Sequence, residues 1–169
     1  MAVIRPFCAI RPAANLSSEI ASLPYDVYST EEARERTKDR PLSFLRIDRA
    51  EVNFPEGMDP YQADVYQKAH DLFWEEVHEG DYQRDQKPGL YLYELTMQGR
   101  VQTGLVALTS VDDYEKGIIK RHEDTLEAKE NDRVRHIDIV NAQTGPVFLV
   151  NKKSQELKTL LEAQKTKEQ

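Results

Sequence analysis

Cysteine is nearly absent: the 169 residues hold one. Cys8 has no second thiol to pair with, so no internal disulfide holds this chain together. It alternates with apolar neighbours in "AVIRPFCAI" and reads as a small core residue rather than a nucleophile. Long apolar runs are missing too, none approaching the roughly 20 residues of a membrane-spanning helix. The opening "MAVIRPFCAIRP" lacks the apolar core and cleavage pattern of a signal peptide. The expectation is a cytoplasmic protein with no membrane partner. A basic excess is absent as well. Lys and Arg number 8 against 7 Asp and Glu over residues 1–50, 4 against 11 over 51–100, and 11 against 12 over 101–169. The net charge is -7, and no third of the chain carries the clustered positive charge of a nucleic-acid reader, so nucleic acid is disfavoured as a partner. There is no Walker A loop, GxGxxG, HExxH or nucleophile elbow, which removes the motif-based routes to nucleotide, metalloprotease and hydrolase chemistry.

What is present belongs to a folded soluble chain: 39% hydrophobic and 31% charged residues, the apolar ones gathered in well-marked runs. The length suits one compact domain with a real core. The pattern predicts a domain over 1–152, followed by an amphipathic helix and fraying tail over 153–169.

Residues 2–10 read as a strand confined to an edge or bulge by Pro6. After a "PYDV" loop, Ser29 with Glu32 forms a capping box that starts a helix near Thr30. "LSFLRID", residues 42–48, alternates like a second strand. Asp59-Pro60 reads as an N-cap followed by proline at the first helical position, and Val65, Ala69, Leu72, Phe73 and Val77 repeat at helical spacing as far as Gly80. "GLYLYELTMQGRVQTGLVALTSV" predicts a hairpin turning at Gln98-Gly99-Arg100, with "GIIKR" at 117–121 as a third strand beside it. A helix opened by Asp124 and Glu127, a strand "VFLVN" and a charged helix over 154–169 complete the order. Hairpins mixed with helices predict an α+β domain: a mixed sheet with a β-hairpin and several flanking helices.

The candidate chemistry sits in "KRHEDTLEAKENDRVRH", residues 120–136. A strand, a short turn and a helix start make an anion site, because the first helical amides have no intrahelical acceptor. At about 100° per residue, Lys129, Arg133 and His136 fall within roughly 60° of one another, bordering a stripe of Leu126, Val134, Ile137 and Val140. With Arg121 and His122 on the turn, these cations suit a phosphate or pyrophosphate. Glu123, Asp124 and Asp132 would bind Mg²⁺ or act as a general base. The plainer alternative is a solvated helix face with ordinary i,i+4 charge contacts, and Asp124 as a cap. Tyr25 and Asp26 place a phenol and a carboxylate on irregular backbone, where sites often lie. His70 and His78, eight places apart, are too far separated for a helical metal pair, and Trp74, Tyr61 and Tyr66 read as packing residues.

"LPYDVYSTEEAR", "SFLRI", "GLYLYEL", "TGLVALTSVDDYEKGIIKRHEDTLEAKENDRVRH" and "TGPVFLV" resemble, in order, the landmarks of the bacterial and archaeal family catalogued as domain of unknown function 1015. Members of that family are usually longer, so the chain resembles their amino-terminal part. The resemblance implies a distant likeness to the ParB and sulfiredoxin-like folds, which include free-serine kinases. It would place His122, Glu123, Thr125, Lys129, Asp132 and Arg133 at a phosphate-donor site and Asp26 toward the acceptor, although no ParB-type Gly-x-x-Arg phosphate box is present. The expected activity is a small-molecule phosphotransferase, a serine kinase using pyrophosphate, ATP or ADP. In it Lys129, Arg133 and His122 hold the donor, Glu123 and Asp132 bind Mg²⁺ or take the acceptor's proton, and Arg121 and His136 support the donor. Tyr25, Asp26 and Thr125 face the substrate. The competing expectation is a ligand-binding scaffold that grips an anion and catalyses nothing.

Overall fold

The computed structural model describes residues 2–122 and 124–165. In chain order its elements are β1 Ile4–Arg5, β2 Ile10–Pro12, α1 Ser17–Ile20, a 3₁₀ turn Tyr25–Val27, α2 Thr30–Thr37, α3 Leu45–Asp48 and a second 3₁₀ turn Ala50–Asn53. Then follow α4 Ala63–Glu79, β3 Tyr82–Arg84, β4 Tyr91–Met97, β5 Arg100–Val106, β6 Leu108–Thr109, α5 Val111–Glu115, α6 Glu127–Val140 and α7 Gln155–Lys165. The chain is α+β. Among the described residues the strands form three separate antiparallel pairs, β1 with β6, β2 with β3 and β4 with β5, where the alternating runs suggest one mixed sheet. Chain contacts divide it into a core unit, residues 10–85 and 124–144, and a hairpin unit, residues 2–9, 86–122 and 145–165.

The core unit is built on α4. Its 17 residues put Val65, Ala69 and Phe73 on one buried face, with Leu72 and Val77 half-buried beside them, as the helical spacing predicts. That face meets Ile20, Ile47, Tyr82 and Val140, and each such side chain taken fully out of water contributes roughly 1.5–3 kcal/mol. Gly80 ends the helix at φ 91°, a left-handed conformation that glycine adopts without a Cβ penalty. The helix begins at Ala63 rather than at Pro60. Asp59 caps a turn one step earlier, its Oδ1 accepting from the Tyr61 amide at 3.0 Å and its carbonyl from the Gln62 amide at 3.3 Å.

Residues 42–48 correct the expectation of a second strand. The Asp48 amide donates to the Phe44 carbonyl at 3.1 Å and the Arg49 amide to the Leu45 carbonyl at 2.9 Å, so this stretch bonds within itself as α3. Ser43, Leu45 and Ile47 are buried in alternation all the same. A seven-residue alternating run fits a short helical turn as well as a strand, and the absence of a free neighbouring ladder decides between them.

In the hairpin unit, β4 and β5 pair from Tyr91 with Val106 to Met97 with Arg100. The two-residue turn puts Gln98 at φ 51° and Gly99 at φ 74°, both left-handed, matching the twist of the strands as a type I′ turn does. Residues 117–121 are not a third strand. Gly117, at φ 69°, follows the end of α5, and the Ile118 and Ile119 amides both go to the Asp113 carbonyl at 2.8 and 3.0 Å, leaving neither free for a ladder. Nor are residues 147–151 a strand. Val147, Phe148 and Val150 are each more than three-quarters exposed, and no described strand pairs with them. The charged helix expected over 154–169 is present as α7 over Gln155–Lys165, and residues 166–169 lie outside the described residues. Every fully buried apolar side chain among the described residues belongs to the core unit.

The Ser29 capping box that begins α2 is complete: Oγ accepts from the Glu32 amide at 3.2 Å, and Glu32 Oε2 accepts from the Ser29 amide at 2.9 Å. Ser29→Ala is therefore expected to lower the unfolding free energy by about 1 kcal/mol. A urea midpoint unchanged from the parent would contradict this assignment of the cap.

Candidate functional site

The "PYDV" loop enters the core unit as the 3₁₀ turn Tyr25–Val27 and is held from below by one guanidinium. Arg49 Nη1 donates to the carbonyls of Tyr28 at 2.8 Å and Tyr25 at 3.3 Å, Nη2 donates to Thr30 Oγ1 at 2.7 Å, and Nε donates to Glu51 Oε1 at 2.7 Å. Glu51 is itself buried, so this pair is both paired and hydrogen-bonded, the condition under which buried charge is tolerated. The loop is thereby fixed where it could otherwise move.

Across from it stands α6. Asp132, Arg133, His136 and Val140 follow one another by one, three and four places, a spacing that lines one side of a helix. Tyr66 Oη, from α4, donates to Asp132 Oδ1 at 2.7 Å. Arg133 Nε and Nη2 donate to Asp132 Oδ2 at 3.0 and 2.8 Å. The Arg133 guanidinium lies 4.3 Å above the Tyr25 ring centroid, a cation–π contact, and its Nη1 is 4.0 Å from Asp48 Oδ1. His136 Nε2 lies 3.1 Å from the Ile47 carbonyl. A carbonyl oxygen only accepts, so Nε2 carries the ring proton and Nδ1 presents a lone pair.

Burial sets the charge states here. Loss of solvent pushes the Asp48 carboxyl up from its ordinary value, while His136, the Thr144 side chain and Arg133 pull it back. Loss of solvent likewise pushes the His136 imidazole down from its ordinary value, opposed by its hydrogen bond to the Ile47 carbonyl. The Tyr25 phenol is raised by burial, opposed by Arg133. On the other side of the core, burial and then the nearby Asp81 charge push Glu76 up to about 7.

Four buried polar atoms among the described residues have no hydrogen-bond partner in the protein: Asp48 Oδ1, Glu76 Oε2, Tyr82 Oη and His136 Nδ1. All four belong to the core unit. Leaving a buried polar group unsatisfied costs roughly 1–3 kcal/mol. Four such costs together would rival the whole stability of a domain of this size, about 5–15 kcal/mol. A set of this kind implies partners from outside the chain, either water or a bound polar group.

Of the residues singled out from the sequence, Tyr25, Asp132, Arg133 and His136 come together. His136 is a buried imidazole hydrogen-bonded to the Ile47 carbonyl, and the two Asp132 oxygens accept from Tyr66 and Arg133. Asp26 is exposed beside Tyr25. Thr125 and Lys129 are exposed, Thr125 before α6 and Lys129 in its first turn. Arg121, whose Nε donates to Tyr114 Oη at 3.0 Å, and His122 belong to the hairpin unit. Glu123 lies outside the described residues. The expected Asp124 cap is replaced by Leu126, which caps with no side-chain bond, and no strand precedes the turn, so the strand–turn–helix anion site is not built. Leu126 and Val134, expected on the buried stripe, are 69% and 61% exposed, because α6 turns His136 and Val140 toward α3 and α4 instead. Trp74 is a packing residue, its Nε1 donating to the Val140 carbonyl at 2.9 Å. No group of three or more described His, Cys, Asp or Glu side chains could hold a metal ion.

Asp48, Arg49, Tyr66, Glu76 and Tyr82 were not legible as site residues. One signal was readable. Glu76 falls three places after Phe73 on the apolar stripe of α4, where a carboxylate is out of place. A raised carboxyl stabilises the fold fully below its unfolded value near 4.5 and loses that contribution as pH rises through about 7. Glu76→Gln, which cannot ionise, is therefore expected to reduce the fall in unfolding free energy between pH 5 and pH 8 by about 3 kcal/mol. Equal pH dependence of parent and variant in urea titrations would contradict a buried, unpaired Glu76.

A family model described as a protein of unknown function, DUF1015, matches residues 4–169. No match to the chain is found among curated proteins or among solved structures. With almost its whole length covered by that match, the chain belongs to the DUF1015 family.

Proposed function

We propose that this chain is a small-molecule phosphotransferase that moves a phosphoryl group from pyrophosphate or a nucleotide, ATP or ADP, to a small serine-like hydroxyl. The observation that carries the reading is the pairing of Arg133 with Asp48. A guanidinium about a quarter exposed rests on Tyr25, and 4.0 Å from its Nη1 lies a buried carboxylate oxygen that accepts no hydrogen bond from the protein. An acceptor hydroxyl that reached this pair would donate to Asp48 Oδ1 and accept from Arg133 Nη1.

In this reading Asp48 takes the acceptor's proton as its oxygen attacks phosphorus. The bond from phosphorus to the leaving oxygen breaks, and phosphate or the shorter nucleotide departs. Arg133 neutralises charge on the transferred group. Phosphoryl transfer asks a protein mostly for positioning and charge, which Tyr25 and the Arg49-braced loop supply. A carboxyl raised by burial holds a proton more readily than an exposed one, as a base that takes the acceptor's proton must. Mg²⁺ belongs to the donor, entering as the metal complex of its phosphates; the described carboxylates form no site for the ion alone. Lys129, exposed at the start of α6, would meet the donor's outer phosphates.

A second reading, a non-catalytic anion-binding or scaffold domain, is favoured by Asp132 Oδ2, which already accepts from two of the Arg133 guanidinium nitrogens. Thermal unfolding with pyrophosphate, ATP, ADP and serine, each with and without Mg²⁺, tests for binding by mass action. Product formation followed by phosphorus NMR tests for transfer. The phosphotransferase reading expects a raised Tm with at least one donor, and transfer that Asp48→Asn reduces by about 10²–10⁴-fold while the donor's Tm shift persists. A Tm shift without transfer supports the scaffold, and no shift with any phosphate compound contradicts both.

A further inference from the structure

Asp132 and Arg133 are consecutive on α6, and consecutive side chains of a helix diverge by about 100° rather than face each other. Here they meet all the same, Arg133 Nε and Nη2 donating to Asp132 Oδ2 at 3.0 and 2.8 Å. A contact that helix geometry does not favour needs a hold from outside the helix. Tyr66 on α4 supplies it, its Oη donating to the other Asp132 oxygen at 2.7 Å. With one oxygen pinned in this way, the carboxylate cannot swing away from Arg133.

Tyr66 is itself fixed. It is 2% exposed, its ring meets the His136 ring edge-on with centroids 6.4 Å apart, and the Arg135 guanidinium lies 5.1 Å from its centroid. Arg135 is anchored in turn, its Nη1 donating to the Tyr61 carbonyl at 3.3 Å. Burial, and then the bond to Asp132, raise the Tyr66 phenol above its ordinary value, so it keeps its proton and remains a donor through the neutral range.

The consequence falls on Arg133. A guanidinium is planar, so bonds at Nε and Nη2 along one edge turn Nη1 to the opposite side. The Tyr25 ring, 4.3 Å from the central carbon, supports the flat face. Asp132 therefore fixes the group within its plane, and Tyr25 fixes the plane. What is left for a ligand is Nη1, which makes no hydrogen bond among the described residues and lies 4.0 Å from Asp48 Oδ1.

We propose that Tyr66 is a positioning residue: through Asp132 it holds the Arg133 guanidinium flat on Tyr25 with Nη1 turned to Asp48, so that a ligand oxygen meets one prepared N–H edge. As preparation for phosphoryl transfer this rests on the phosphotransferase reading; as the setting of one guanidinium it does not. The ring of Tyr66 packs α4 against α6, while its hydroxyl alone does the positioning. Tyr66→Phe separates the two.

The test follows the Arg133 side-chain nitrogens by ¹⁵N NMR in the full chain, with no phosphate compound present. A held guanidinium rotates slowly and gives separate Nη1 and Nη2 signals, and Arg133 protons over the Tyr25 ring are shifted upfield. Tyr66→Phe is expected to merge the two Nη signals and to remove the ring shift. A purely structural Tyr66 would lower Tm and leave those signals as they were. Separate Nη signals in the variant therefore overturn the proposal, as does a single averaged signal in the parent. Should Tyr66→Phe not fold, Asp132→Ala takes its place: merged signals support the hold through the carboxylate, and separate ones overturn it. Where the parent transfers phosphate from pyrophosphate or a nucleotide, Tyr66→Phe is expected to lower kcat by roughly 10–100-fold. An unchanged kcat overturns the part Tyr66 plays in transfer. No transfer by the parent, with the Arg133 signals as expected, contradicts the phosphotransferase reading and supports the positioning alone.

Discussion

One hydrogen bond holds the arrangement of the core unit: His136 Nε2 on α6 to the carbonyl of Ile47 in α3. A carbonyl at position 47 of a four-residue helix has no intrahelical acceptor duty left to fill, so it needs a donor from elsewhere. α6 provides it from a fully buried ring. The consequences are geometric. With His136 seated on Ile47, Arg133 one turn earlier is brought beside Asp48, and Val140 one turn later is brought under Trp74. Asp48 would be an ordinary helix-end carboxylate without this contact. With it, the group loses its water and comes under the influence of the His136 ring and the Arg133 guanidinium.

Desolvation then governs what those groups can do. Asp48 and His136 are both driven toward their neutral forms by the same burial, one upward and the other downward. Arg133 does not neutralise, and Asp132, with Tyr66 donating to its other oxygen, keeps a charged partner beside it. The result is a cation and an incompletely paired carboxyl oxygen facing each other at 4.0 Å, an arrangement that costs stability. Sites of that kind are where function is looked for first.

The sequence carried some of this and hid the rest, for physical reasons. The long, strongly periodic α4, the two-residue hairpin turn and the Ser29 capping box are local features whose signals lie within a few residues of one another, and each is present, α4 differing only in its first turn. Residues 42–48, 117–121 and 147–151 are short apolar runs. Whether such a run becomes a strand depends on a neighbour to pair with, which only the tertiary fold supplies. The candidate site divides the same way. Arg133 and Asp132 stand out as charges bordering an apolar stripe, and Tyr25 as part of a polar loop. Asp48 was concealed at the end of an apparent strand, and Tyr66 among packing residues. His136 was legible by position, whereas its burial and its bond to Ile47 were not, because spacing shows which face a residue occupies and not how deeply that face is covered.

What this arrangement fixes is the seating of one imidazole. Long-range ¹H–¹⁵N NMR of the unliganded chain from pH 5 to 9 reads it directly. The hydrogen bond to Ile47 predicts a neutral ring with its proton on Nε2 and an unprotonated Nδ1, which gains its second proton at a lower pH than an exposed histidine does. A neutral ring with its proton on Nδ1 would mean that α6 is not seated on the Ile47 carbonyl and that the site around Asp48 is not assembled as described.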